Sequence, residues 1–206
     1  MIDHLVYATV HLARTVDELN SRFGIKLTPG GQHVGLGTRN FLADLGDNRY
    51  LEVIGPDPDQ PTPGRPRPFG IDDLAESRLV TWAARVNDLD EAVRRARAAG
   101  YDPGPIVSMS RVSGDRVPLH WRMTLSPASG GLGGLVPFLI DWADAPHPSH
   151  GAAPGMRLVS LLGFHPEITR IRRCLTALGE QLHLHQRPEP GLRAVLATPH
   201  GEAVLQ

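Results

Sequence analysis

Imidazole is the reactive side chain this sequence supplies most freely, with 10 histidines beside a single cysteine. Near neutral pH a histidine serves as metal ligand or as general acid and base, so placement matters more than number. His33 lies in PGGQHVGLGTRN, where Gly30, Gly31, Gly35 and Gly37 let the backbone bend and approach a bound group closely. Thr38 and Asn40 offer hydrogen bonds beside it, although the run also reads as a glycine-rich turn with a solvated histidine. His120 and Arg122, two apart in LHWRMTLSP, share one face of a strand, with Trp121 on the other. If that face lines a cavity, Arg122 holds an anionic substrate group and His120 acts as base or ligand; if it meets solvent, Trp121 packs inside instead. His183 and His185 repeat the spacing in QLHLHQ without a third ligand nearby, and read as the solvated face of an edge strand.

Other chemistries are narrowed by what the chain lacks. Cys174 alone excludes an intramolecular disulfide and a thiolate cluster. Its helical setting, IRRCLTALG, suits a packed thiol better than a nucleophile. No G-x-S-x-G elbow, P-loop or H-E-x-x-H element is present, and strands rather than a helix follow the glycine run, unlike a dinucleotide site. With 21 basic and 22 acidic residues, a formal charge of -1 and no long single-sign run, neither nucleic acid nor an anionic membrane is an expected partner. A small-molecule substrate or ligand is expected, with a homodimer as a further expectation. The start, MIDHLVYATV, lacks the features of a signal peptide, and no apolar run approaches membrane-spanning length, so the expected location is the cytoplasm.

The elements that position these residues repeat. Ile2 to Val10 has the β-branched, alternating character of a half-buried strand, and LARTVDELNSRFG changes to helical spacing, with Leu12, Val16, Leu19 and Phe23 on one face and Gly24 as its stop. A short strand near Ile25 to Thr28, then NFLADLG and YLEVIG, complete a β-α-β-β-β unit over about residues 1–57. The proline- and charge-rich stretch from Pro56 to Arg78 suits a surface loop. A second unit, about 78–145, runs from LVTWAARV through the helix DLDEAVRRARAAG to LHWRMTLSP and VPFLIDWAD. A shorter third unit occupies 155–206, from MRLVSLLGF through EITRIRRCLTALG to QLHLHQ, LRAVLAT and EAVLQ. The expected fold class is α+β, with repeated β-α-β-β-β modules forming a cupped sheet able to hold a ligand.

That order of units, with DH in the first strand, GGQHVGLGTRN after the first helix, YLEVIGPDP ending unit one and PFLIDW followed by HPS, resembles the glyoxalase-like branch of the vicinal oxygen chelate superfamily. The resemblance covers about residues 1–150. It implies paired modules around a cup, with a divalent metal ion held by a first-strand side chain and a last-strand glutamate, which fall on His4 and Glu52. Read from the residues alone, these two also suit a strand histidine bonded to backbone and a strand-edge carboxylate. Two ligands are too few for tight binding, and His33, His120 and Asp141 are the candidates for a third. Glu52 and His120 are the candidate catalytic groups; His33, Thr38, Asn40, Arg122 and Trp142 are the candidates for substrate binding, with His147 near the mouth. Unit two departs from the pattern: Thr81 stands where a second first-strand ligand belongs, and a one-residue register decides whether Asp141 faces the cup. The resemblance implies a metal-dependent enzyme acting on a small oxygenated substrate, by isomerase, lyase or dioxygenase chemistry. Its alternatives are a non-catalytic protein that sequesters a small molecule, and an interaction protein whose cup the third unit fills.

Overall fold

The computed structural model describes residues 1–112, 118–125 and 132–206. Module one comprises β1 (Ile2–Ala8), α1 (Leu12–Phe23), β2 (Thr28–His33), β3 (Thr38–Asp44) and β4 (Tyr50–Pro56). Module two comprises β5 (Arg78–Arg85), α2 (Leu89–Ala98), β6 (Ile106–Val112), β7 (Pro118–Thr124) and β8 (Phe138–Asp141). Their strands form one barrel in the order β1-β4-β3-β2-β6-β7-β8-β5. In each half the first strand pairs in parallel with the last, β1 with β4 and β5 with β8. The halves join along an antiparallel β1–β5 seam. Opposite, among the described residues, β2 and β6 meet through the pair Gln32–Val112, which closes the barrel.

Alternation along each strand divides the apolar residues between two cores. Leu5, Leu51, Val53, Trp82 and Leu139 point outward into a core shared with the helices. Val6, Ile54, Trp121, Phe138 and Trp142 point inward. Both faces of β4 are therefore covered, and its sequence is nearly continuous in apolar residues except for Glu52. Helix α1 buries Leu12, Val16, Leu19 and Phe23 and ends at Gly24, whose left-handed φ of 71° no branched residue would adopt without strain. Helix α2 starts under the Asp88 carboxylate, which accepts the Glu91 N–H at 2.9 Å.

The third unit, β9 (Arg157–His165), α3 (Ile168–Leu178), β10 (His183–Gln186), β11 (Gly191–Thr198) and β12 (Gly201–Leu205), repeats the order of elements but not the pairing. Its sheet runs β10-β9-β11-β12, with the first strand inside rather than beside the last. It lies against the outside of the barrel: Leu158, Leu161, Leu192 and Leu196 join the outer core, the Leu158 N–H donates to Leu45 O at 3.0 Å, and the Leu79 N–H to Gln206 O at 2.8 Å. The cup is not filled by this unit.

Three local features differ from the sequence reading. β2 begins at Thr28 and passes through Gly30 and Gly31, with a register shift between Pro29 and Gly31, so the turn is confined to the residues after His33. β6, with its sequence IVSMSRV, is a strand that the sequence reading did not single out. The stretch between β4 and β5 is more than a surface loop: over Pro68–Asp73 it forms 3-10 turns broken by a kink at Phe69 and Gly70, and it fully buries Ile71. Among the described residues no helix is long and apolar enough to cross a membrane.

Candidate functional site

Inside the barrel lies a cavity of about 960 Å³, lined in part by the stretch between β4 and β5, which brings Arg67, Asp73 and Glu76 to it. Its walls differ by module. β6, β7, β8 and the residue that follows β8 contribute Met109, Trp121, Met123, Phe138, Ile140 and Trp142. β1, β2, β3 and β4 contribute His4, His33, Asn40 and Glu52, and β6 adds one charged group, Arg111. On the barrel strands the polar groups thus gather mainly in one corner, in the module-one half, opposite a wall that is mostly apolar apart from Arg78, Thr81 and Thr124.

Each polar side chain in that corner has a partner that orients it. The Asn40 amide donates to Glu52 Oε1 at 2.5 Å, and its carbonyl accepts from Arg111 Nη1 at 3.0 Å. His33 Nδ1 shares a hydrogen bond of 3.0 Å with the Thr38 hydroxyl, which leaves Nε2 facing Asn40 at 3.5 Å and Glu52 Oε1 at 3.9 Å. Burial pushes the His33 pKa below its ordinary value, with Glu52 acting against the shift and Arg111 with it. His4 Nε2 approaches the other oxygen, Glu52 Oε2, at 3.8 Å. The His4 ring stacks on Tyr50 with centroids 4.5 Å apart, and burial first, then the Asp3 and Glu52 charges, raise the Tyr50 phenol well above its usual range. Gly30 makes room for this arrangement: a Cβ there would sit 2.2 Å from Asn40 Oδ1 and 2.7 Å from Arg111 Nη1.

Behind His4 stands Asp3, fully buried and not among the residues singled out in the sequence beyond the DH pair. Its Oδ1 meets His4 Nδ1 at 2.7 Å, and its Oδ2 accepts from Trp142 Nε1 at 3.1 Å and from His147 Nε2 at 3.0 Å. The Ser149 N–H donates to His147 Nδ1, so Nε2 carries the proton given to Asp3. Burial would raise the Asp3 carboxyl, but hydrogen bonds from His147 and His4 outweigh it and hold the group well below the usual carboxylate range. An ionised Asp3 fixes the His4 proton on Nδ1 and turns the Nε2 lone pair toward Glu52 when the ring is neutral.

Of the residues expected at a site, His4, His33, Asn40, Glu52 and Trp142 line the cup, and Thr38 is buried behind His33. His120 and Arg122 do not. Trp121 takes the inward position on β7, which leaves His120 exposed and Arg122 outside the barrel, where its guanidinium binds both oxygens of Asp90 at 2.7 and 3.1 Å. Asp141 alternates outward between Ile140 and Trp142 and caps the Ala143 N–H. Neither is therefore a third ligand inside the cup. Thr81 lines the cup but donates its hydroxyl to Gly134 O at 3.2 Å. Arg111 was missed, yet IVSMSRV carries its signal: Val107, Met109 and Arg111 alternate with two serines, placing a cation on the apolar face of a strand. Far from the cup, His183 and His185 are exposed on edge strand β10, and Cys174 is half-buried on α3 with its thiol pKa raised by burial.

Among the described residues no group of three His, Cys, Asp or Glu side chains stands close enough to hold a metal ion without adjustment. The donor set nevertheless fits a divalent ion: two imidazole Nε2 atoms and a carboxylate face one volume, each held from behind by Asp3, Thr38 or Asn40. The separations of 3.8 and 3.9 Å leave the corner slightly wider than a closed ligand shell.

A family model described as "Glyoxalase-like domain" matches residues 2–179. No curated protein matches the chain. Among solved structures, a hypothetical protein from Staphylococcus aureus aligns with a TM-score of 0.66 at 13% identity, over 98% of this chain and 83% of that one. A methylmalonyl-CoA epimerase from Mycobacterium tuberculosis aligns with a TM-score of 0.44 at 19% identity, over 70% of this chain and 88% of its own. At 13% identity the likeness to the Staphylococcus aureus protein is one of fold, and it extends through the third unit.

Proposed function

This chain belongs to the glyoxalase-like domain family of the vicinal oxygen chelate superfamily, and on that premise we propose that it is a metal-dependent enzyme acting on a small oxygenated substrate held in the cup. One observation carries the reading: His4 and His33 both lie within 4 Å of Glu52 in one polar corner of the cavity, facing a mostly apolar module-two wall. A divalent ion held there would act as a Lewis acid, polarising adjacent oxygens of the substrate. The chain's own residues account for the rest. Asp3 and Tyr50 fix the His4 ring, Asn40 fixes the Glu52 carboxylate, and Trp121, Phe138 and Trp142 keep water from the substrate's body. For isomerase or lyase chemistry Glu52 is the group placed to take a proton from a substrate carbon; for dioxygenase chemistry it serves as ligand alone.

Elemental analysis of purified protein, with unfolding followed on adding manganese, nickel, zinc or iron, tests the metal. One ion per chain is expected, with about 2.7 kcal/mol of stabilisation at a hundredfold excess over Kd, lost in His4→Ala. Wild-type protein that takes up none of the four overturns the reading.

The apolar half of the cup favours a second reading, sequestration of a small molecule without chemistry. Phenylpyruvate and 3-phenylpropionate, which differ in the oxygen next to the carboxylate, separate the two. Metal that tightens phenylpyruvate selectively, through His4, supports the enzyme; metal without effect on either supports sequestration.

A further inference from the structure

Arg111 is 5% exposed, and its guanidinium lines the cup at the edge of the polar corner. A buried cation normally sits against a carboxylate, because its desolvation is otherwise uncompensated. Among the described residues none lies within ion-pair distance of Arg111. Its one described hydrogen bond is to a neutral acceptor, Asn40 Oδ1, and its Nε has no partner. Asn40 separates it from Glu52, spending one end of its amide on each. The guanidinium thus keeps unspent charge beside a cavity whose other half is Met109, Trp121, Met123 and Phe138, while its Nε is shut away without a partner.

We propose that Arg111 anchors the carboxylate of the substrate, and that the substrate class is an organic acid with an apolar, aromatic-sized body lying against module two. The proposal rests on the cup being the substrate site. A carboxylate fits the planar guanidinium better than a point anion does, because two N–H groups can be shared with its two oxygens. Bound there, the acid neutralises the guanidinium charge and replaces the solvation that burial removed. Its neighbouring oxygens fall on the side of His4 and Glu52, and its apolar body on the side of Trp121 and Met123.

The test is calorimetric binding of 2-naphthylacetate and 2-naphthylacetamide to metal-free protein, so that its outcome is independent of whether the protein takes up metal. Wild type is expected to prefer the acid by about tenfold to a hundredfold, the range of a charge-assisted hydrogen bond. Arg111→Met is expected to abolish the preference while keeping the affinity for the amide. Arg111→Gln retains a donor for Asn40 Oδ1 and serves if the methionine variant does not fold; it too is expected to lose the preference. Absence of a preference in wild type, a preference undiminished in Arg111→Gln, or failure of wild type to bind either compound overturns the proposal.

Discussion

Strands β4 and β8 close equivalent places in their modules, each parallel to the module's first strand, yet β4 turns Tyr50, Glu52 and Ile54 into the cup and β8 with the residue that follows it turns Phe138, Ile140 and Trp142. β1 likewise offers His4 where β5 offers Thr81 and Ala83. The backbone decides which positions face inward; side-chain choice decides what chemistry they do. Concentrating polar groups in one half has a physical advantage. The facing apolar half lowers the local dielectric and strengthens the electrostatic interactions of the corner, which two polar halves flooded with water would screen.

That contrast can be broken from either side. The largest effect is expected for Asp3→Ala, which leaves His4, His147 and Trp142 without their shared buried acceptor. Denaturant unfolding should show a loss of about 3–5 kcal/mol, the usual cost of removing one member of a buried charged set; a loss below about 1 kcal/mol would show that Asp3 does not hold the corner together. Next is Ile140→Glu, which puts a carboxylate into the apolar half at a site 2% exposed and without a donor like Asn40. A cost of about 1–3 kcal/mol is expected, and no cost would mean that this wall is wet.

Smaller is the pH dependence carried by His33, whose pKa is lowered by burial from an ordinary 6.5. The unfolded chain takes up this proton more readily than the folded one. Its contribution to stability is therefore complete above 6.5 and declines as pH falls from there toward the lowered folded value. Unfolding midpoints measured across this range should slope more steeply for wild type than for His33→Asn. Arg122→Ala should be silent in both stability and ligand binding, because its pairing with Asp90 is on the outer surface; a change in ligand affinity would return β7's outer face to consideration.

Much of the barrel was legible because both modules announce themselves by a strand, a helix with a clean apolar face and a glycine stop. His4 and Glu52 could be placed because the resemblance supplied their spacing, and the structure brings them within 3.8 Å. The face of β7 could not be read: a period of two says that His120 and Arg122 agree, not which side of the sheet they choose. Asp3 was obscured for a different reason, since its partners Trp142 and His147 are 139 and 144 residues away. Arg111 was hidden because β6 was not singled out as a strand, although its alternation of Val107 and Met109 with two serines would have shown a charge on an inward face.

Asp3 also joins three stretches of chain: β1, the end of β8 and the 3-10 helix Pro148–Gly151 that leads to the third unit. The segment after β8 is thereby part of the barrel's cooperative unit rather than a tether. In hydrogen exchange the amides near His4 and those near His147 should open together, and exposing one to solvent should expose the other. A motion of the third unit relative to the barrel would then reach the His4 ring by loosening one carboxylate.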